Sequence, residues 1–90
     1  MLFSLGQVVM TCGIAELVSA GEIDIISLLA RHVTGDWGDL DAEDRQANDT
    51  GVRIGERLLS SYCVSHAVGK VWIITEWDRS YTTALLPDEY

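Results

Sequence analysis

At Gly55 the periodicity of the apolar residues changes, and this change limits what the chain can fold into more than any other feature of it. Before it, Ile14, Leu17 and Val18, and then Ile25, Leu28, Leu29 and Val33, recur near every 3.6 residues, the spacing that gives a helix one apolar stripe. After it, Val71, Ile73 and Thr75 alternate with Trp72, Ile74 and Glu76 in a segment rich in β-branched residues, the two-residue period of a strand. Helices first and strands last predict an α+β domain, with N-terminal helices packed on a C-terminal three- to four-stranded antiparallel meander. Ninety residues, 48% of them apolar and 22% charged, suit one folded domain over residues 1–90 with a single modest core, not a disordered acidic tail.

Turn and cap residues place the elements. Residues 5–11 read as a short strand, with Thr11 N-capping a helix that Gly21 closes. A second helix runs from Asp24 to about Val33, with Arg31 near its negative end. Gly35 and Gly38 bracket a turn, and a third helix runs from Asp41, as N-cap, to about Ile54, with Asp44 imitating a capping box. Strands follow at 57–64, 70–76 and 81–86, joined by a loop at Ser65–Gly69 and a turn at Trp77–Ser80, and Pro87 ends the last. Cys12 and Cys63 stand apart, a spacing that indicates neither a disulfide framework nor a zinc motif, so both are expected as small interior residues in a reducing cytoplasm. The apolar start has no basic n-region and holds Gln7 and Glu16, unlike a secretory signal. Nowhere do about eighteen apolar residues run together, which argues against a membrane helix.

The charge is concentrated in HVTGDWGDLDAEDRQAND, residues 32–49, where Asp36, Asp39, Asp41, Glu43, Asp44 and Asp49 oppose Arg45 alone: six carboxylates against one arginine, five of the chain's net eight negative charges. Arg45 lies four residues from both Asp41 and Asp49, the spacing at which one arginine is shared between two carboxylates on an exposed helix face. A formal charge of −8, with six scattered basic residues, opposes direct binding to a phosphate backbone, which depends mainly on lysine and arginine.

Chemistry-bearing spacings are sparse. His32 with Asp36, Asp39 and Asp41 matches neither an EF-hand nor a zinc motif, and helix caps with solvated charges are the simpler reading. A Ser-His-Asp or Cys-His pair would need distant residues to meet, and His66 falls in a predicted loop. GDWG lacks the lysine and the strand-to-helix setting of a phosphate loop. Trp37, between two glycines, is expected as an anchor with its N–H bonded. Asp78, Arg79 and Ser80 form a turn whose polar groups cap it or face a partner. No metal, cofactor or catalytic residue is expected.

LLARHVTGDWGDL, EDRQAND, ERLLSSY and KVWIITEWDRSYTTALLPDEY together resemble a widespread family of short uncharacterised bacterial proteins of plasmids, phages and integrative elements. The likeness spans nearly the whole chain, and HVTGDWGDL and WIITEWDRS-TT-LLP-EY are its specific blocks; Trp77 makes the second turn bulkier than the family's WITEADRS-like pattern. The resemblance implies a mobile-element setting. Some members carry a restriction-modification label, but ninety residues leave no room for a methyltransferase fold. With the acidic tract, this leads to an expected cytoplasmic interaction protein that inhibits a host nucleic-acid-targeting defence complex, as anti-CRISPR and anti-restriction proteins do. Its expected contacts are Asp36, Trp37, Asp39, Glu43 and Asp44, with Trp77, Asp78, Arg79 and Tyr81 as a second recognition turn; the partner is a host defence protein or nucleoprotein complex, not nucleic acid or membrane. The alternatives are a small metal-dependent hydrolase or nuclease-like enzyme using His32, Asp36 and Asp39, and a dimeric regulatory protein pairing through a strand edge.

Overall fold

The apolar stripe of the second helix shows how the two layers meet. In the computed structural model, which describes all residues from Met1 to Tyr90, α1 (Cys12–Ser19) and α2 (Ile25–Val33) turn Ile14, Leu28 and Leu29 onto one face of a sheet, against Tyr62, Val71, Ile73 and Ala84. Ile14, Val71, Ile73 and Ala84 have no exposed surface. Burying each of the larger aliphatic side chains contributes roughly 1.5–3 kcal/mol. Thr11 caps α1 by accepting the Ile14 amide, as the sequence predicts, and Asp24, read from the sequence as the first residue of its helix, instead caps α2 by accepting the Ser27 amide.

The sheet contains β1 (Gln7–Met10), β2 (Leu58–Ser65), β3 (Gly69–Thr75) and β4 (Tyr81–Leu85) in the order β1-β4-β3-β2. The three C-terminal strands form the expected meander, with Leu58 opposite Thr75 and Trp72 opposite Leu85. The sheet as a whole is mixed, however, because β1 lies parallel to β4, with Val8 opposite Thr82 and Met10 opposite Ala84. That parallel edge corrects the expectation of a purely antiparallel sheet. A parallel neighbour needs a crossover, and here the crossover contains all three helices and two strands.

The second face of the sheet carries Leu59, Trp72, Ile74 and Leu85, and the C-terminus crosses it. A short 3₁₀ turn, Pro87–Glu89, delivers Tyr90 edge-on to Trp72, while the Arg57 guanidinium lies over the Tyr90 ring and donates to its hydroxyl at 2.9 Å. Glu89 fastens this segment by accepting from the Thr11 hydroxyl and the Leu86 amide. Both cysteines are exposed, contrary to the interior positions expected from their size and isolation. Cys12 opens α1 on its outer side, and Cys63 lies where the β2 register shifts before Ser65.

Candidate functional site

α3 (Ala42–Ile54) has little apolar surface to bury, and its residues Asn48 and Gly51 are the buried ones. A helix so polar is held by specific bonds. Asn48 pairs with the Leu59 backbone like a neighbouring strand: its Nδ2–H donates to the Leu59 carbonyl (2.7 Å), and its Oδ1 accepts the Leu59 amide (3.1 Å). Asp49 accepts the indole N–H of Trp37 at 3.0 Å. Asp41 caps the helix by accepting the Asp44 amide at 2.8 Å, and Gly55 closes it in the left-handed conformation. Thus α3 runs along the outer edge of β2.

The turn before α3 continues this cover to Ser61. The Asp39 amide donates to the Ser61 carbonyl and the Ser61 amide to the Trp37 carbonyl. This contact requires Gly38, whose φ is +77° and where a Cβ would lie 2.1 Å from the Ser61 oxygen.

The charges sort into two groups. Asp36 is neutralised by a two-pronged bond from Arg31 (Nε to Oδ2, 2.7 Å; Nη2 to Oδ1, 3.3 Å), and that bond holds its carboxyl below the usual range. The same guanidinium lies 4.5 Å over the Tyr62 ring, and the Tyr62 hydroxyl donates to the Asp36 carbonyl. Arg45 corrects a sequence expectation: instead of bridging Asp41 and Asp49, it donates to the carbonyls of Leu40 (2.9 Å) and Gly38 (3.1 Å). The only ion pairs in the molecule are Arg31–Asp36 and Arg57–Glu76, so exposed Asp39, Asp41, Glu43 and Asp44 have no cationic partner.

Trp37 is 4% exposed, stacked with Phe3 and edge-on to His32; it is the expected anchor, which corrects its place among partner-facing contacts. In the second turn, Trp77 (65% exposed) and Tyr81 (43%) do reach the surface. Asp78 accepts from the Ser80 amide and hydroxyl, bonds that lower its pKa. Arg79 is also corrected, because its guanidinium does not face outward. It has φ +60°, and it donates from Nη1 to the carbonyls of Glu56, Glu76 and Trp77 and from Nη2 to that of Gly51, at 2.6–3.3 Å. There it satisfies carbonyls at the C-terminal end of α3, where positive charge is favourable.

One constellation was not foreseen. His32 has no exposed surface, and both ring nitrogens are engaged, by Ser60 and Thr75. The hydrogens can be assigned. Thr82 donates its single hydroxyl hydrogen to the Leu5 carbonyl (2.7 Å), so it must accept from Thr75 (2.7 Å). Thr75 then accepts from His32 Nε2–H (2.9 Å), which leaves Nδ1 to accept the Ser60 hydroxyl. The result is a one-way relay from Ser60 through His32, Thr75 and Thr82 to a backbone carbonyl. Burial, assisted by the positive charge of Arg79, lowers the His32 pKa to about 4.

These bonds take His32 away from Asp36 and Asp39, and no three histidine, cysteine or acidic side chains converge to hold a metal. Nor does either cavity reach the Ser60–His32 pair; the larger, about 430 Å³, lies between α3 and the second sheet face, beside Leu59, Trp72 and Tyr90. A signal for this cluster was present, since His32 follows Leu28 by four residues and Leu29 by three and so falls on the buried stripe of α2. No protein-family model, no curated protein and no solved structure matches the chain.

Proposed function

We propose that this chain is an interaction protein of a mobile genetic element that inhibits a host defence complex by placing carboxylates in a basic groove built to hold nucleic acid. What supports the reading is the unneutralised state of Asp39, Asp41, Glu43 and Asp44: the arginine beside them, Arg45, is bonded to carbonyls. Double-stranded DNA carries a negative charge about every 1.7 Å along its axis, so a groove that binds it offers closely spaced cations. Glu43 and Asp44 stand on α3, whose position is set by Asn48, Asp49 and Arg79, with Asp41 at its cap and Asp39 in the turn bonded to Ser61, so little ordering cost attends docking. The mobile-element setting rests on the resemblance of the HVTGDWGDL and WIITEWDRS blocks. Trp77 and Tyr81 are the aromatic groups available for a second contact.

The test compares the protein with a variant carrying Asp39→Asn, Glu43→Gln and Asp44→Asn. The helix cap survives these changes, because Asp41 supplies its acceptor. A nucleic-acid-binding host protein retained by the parent protein should be displaced by duplex DNA and by rising salt, and the variant should fail to retain it. Retention that is indifferent to DNA and unchanged in the variant refutes the proposal.

A further inference from the structure

The two edges of the sheet are treated differently. On β2 the outward backbone groups of Leu59 and Ser61 are all bonded, to Asn48 and to the 37–39 turn. On β1 the Gln7 and Thr11 amides donate inward to the Ser80 and Ala84 carbonyls, so the alternate residues Val8 and Met10 turn their N–H and C=O groups outward, where the sheet has no further strand. Open edges are usually blunted with lysine, proline, an inward charge or a bulge. QVVM has none of these. Val8, Val9 and Met10 are 40%, 38% and 44% exposed, so the edge presents apolar side chains on both faces of the sheet together with unpaired backbone groups.

We propose that β1 is a dimerisation edge: two copies of this chain pair their β1 strands antiparallel about Val9, joining their sheets into one of eight strands.

A second copy is the occupant that the charge distribution and the register favour. Each chain carries −8, which opposes self-association over most of its surface, yet residues 1–15 contain no charged side chain. The unneutralised carboxylates lie beside β2, three strands away, or roughly 14 Å at the usual strand spacing. The register is self-complementary. Outward-facing Val8 and Met10 are symmetric about Val9, so a two-fold axis through Val9 sets Val8 opposite Met10 of the partner subunit and Met10 opposite the partner's Val8. Opposed outward residues of an antiparallel pair exchange both their N–H···O bonds, which gives four bonds across the axis. Val9 meets the partner's Val9 in the closer, non-hydrogen-bonded pair, with Cα atoms about 4.5 Å apart.

Sedimentation equilibrium of the full chain, alone and as Val9→Lys and Val9→Glu variants, tests the proposal. The parent protein should be a dimer, and each variant, with like charges apposed on the axis, should dimerise at least about tenfold more weakly. An equal mixture of the two variants should recover the dimer, which damage to the fold would not produce. Amide exchange of the parent protein is a second readout that needs no variant: Val8 and Met10 should be protected in the dimer and become unprotected on dilution, whereas Val9, bonded within the sheet, stays protected at both concentrations. A parent protein that is monomeric at every concentration overturns the proposal, as do homodimers that both variants retain or Val8 and Met10 amides that exchange freely in a dimer.

Discussion

Acidifying the solution from pH 7 to pH 5 should remove about 2 kcal/mol of stability through His32 alone. Burial lowers its folded pKa to about 4, against roughly 6.5 in the unfolded chain, where the ring is solvated. Between those values the unfolded state binds the proton and the folded state does not. The contribution is therefore fully present above pH 6.5 and is lost as pH falls toward 4. The 2.5-unit gap corresponds to a ceiling of about 3 kcal/mol, of which about 2 falls between pH 7 and pH 5. For a domain of this size that loss lowers the melting temperature by roughly 10 °C. The relay makes the cost concrete: a proton on Nδ1 would face the Ser60 hydroxyl, which now donates to that atom, inside a site without solvent. The carboxylates with lowered pKa values, Asp24, Asp36, Asp78 and Glu89, lose their contributions as pH falls below their unfolded values of 3.8 for aspartate and 4.5 for glutamate, so most of their effect lies below the pH 7–5 window. Urea denaturation at pH 7, 6 and 5 measures the slope, and His32→Gln, which cannot titrate, should flatten it whatever its absolute stability. Equal stability of the parent protein at pH 7 and pH 5, or the same slope in His32→Gln, refutes the reasoning.

Four further substitutions, one of them a control, test the framework around α3, each by denaturant midpoint. Gly38→Ala places a methyl 2.1 Å from the Ser61 carbonyl oxygen at a positive φ and should cost more than about 2 kcal/mol, whereas Gly21→Ala, at φ +75° with open space around it, should cost only about 1 kcal/mol. Asn48→Ala strips two partners from the Leu59 backbone and should cost about 2 kcal/mol; light scattering on storage should also rise as the β2 edge opens. Arg79→Lys keeps the charge but loses the fork that reaches four carbonyls, and should cost about 1–2 kcal/mol without changing the salt dependence of partner binding.

Features governed by neighbours in sequence were legible. Thr11 and Asp41 cap their helices because a cap is decided within four residues, and the alternation after Gly55 places each meander strand within two residues. The parallel position of β1 was not legible, since QVVM meets its partner YTTA only after some seventy residues of intervening chain and carries no local mark of direction. Arg45 shows the limit of helical spacing rules: two carboxylates four residues away lost to carbonyls five and seven residues back, which the turn through Gly38, and not the helix repeat, brings close. For the candidate site, the acidity and exposure of Asp39, Glu43 and Asp44 were readable, because a solvated carboxylate needs no partner. The anchoring of Trp37 was readable from its place between two glycines, though not its acceptor, Asp49; the inward role of Arg79 depends on the carbonyls of Gly51 and Glu56, residues far off in sequence.

Sealing β2 bears on how far assembly can proceed. A sheet with two open edges can add copies without limit, which is the geometry of a fibre. Here Asn48 and the 37–39 turn bond the outward groups of Leu59 and Ser61, and the register shift after Cys63 interrupts the edge beyond them, so the proposed symmetric contact at β1 would consume the open edge of both copies and stop growth at two. Asn48 would thereby act as a chain terminator for β-polymerisation, and losing it together with the turn's bonds to Ser61 would leave an assembly able to propagate.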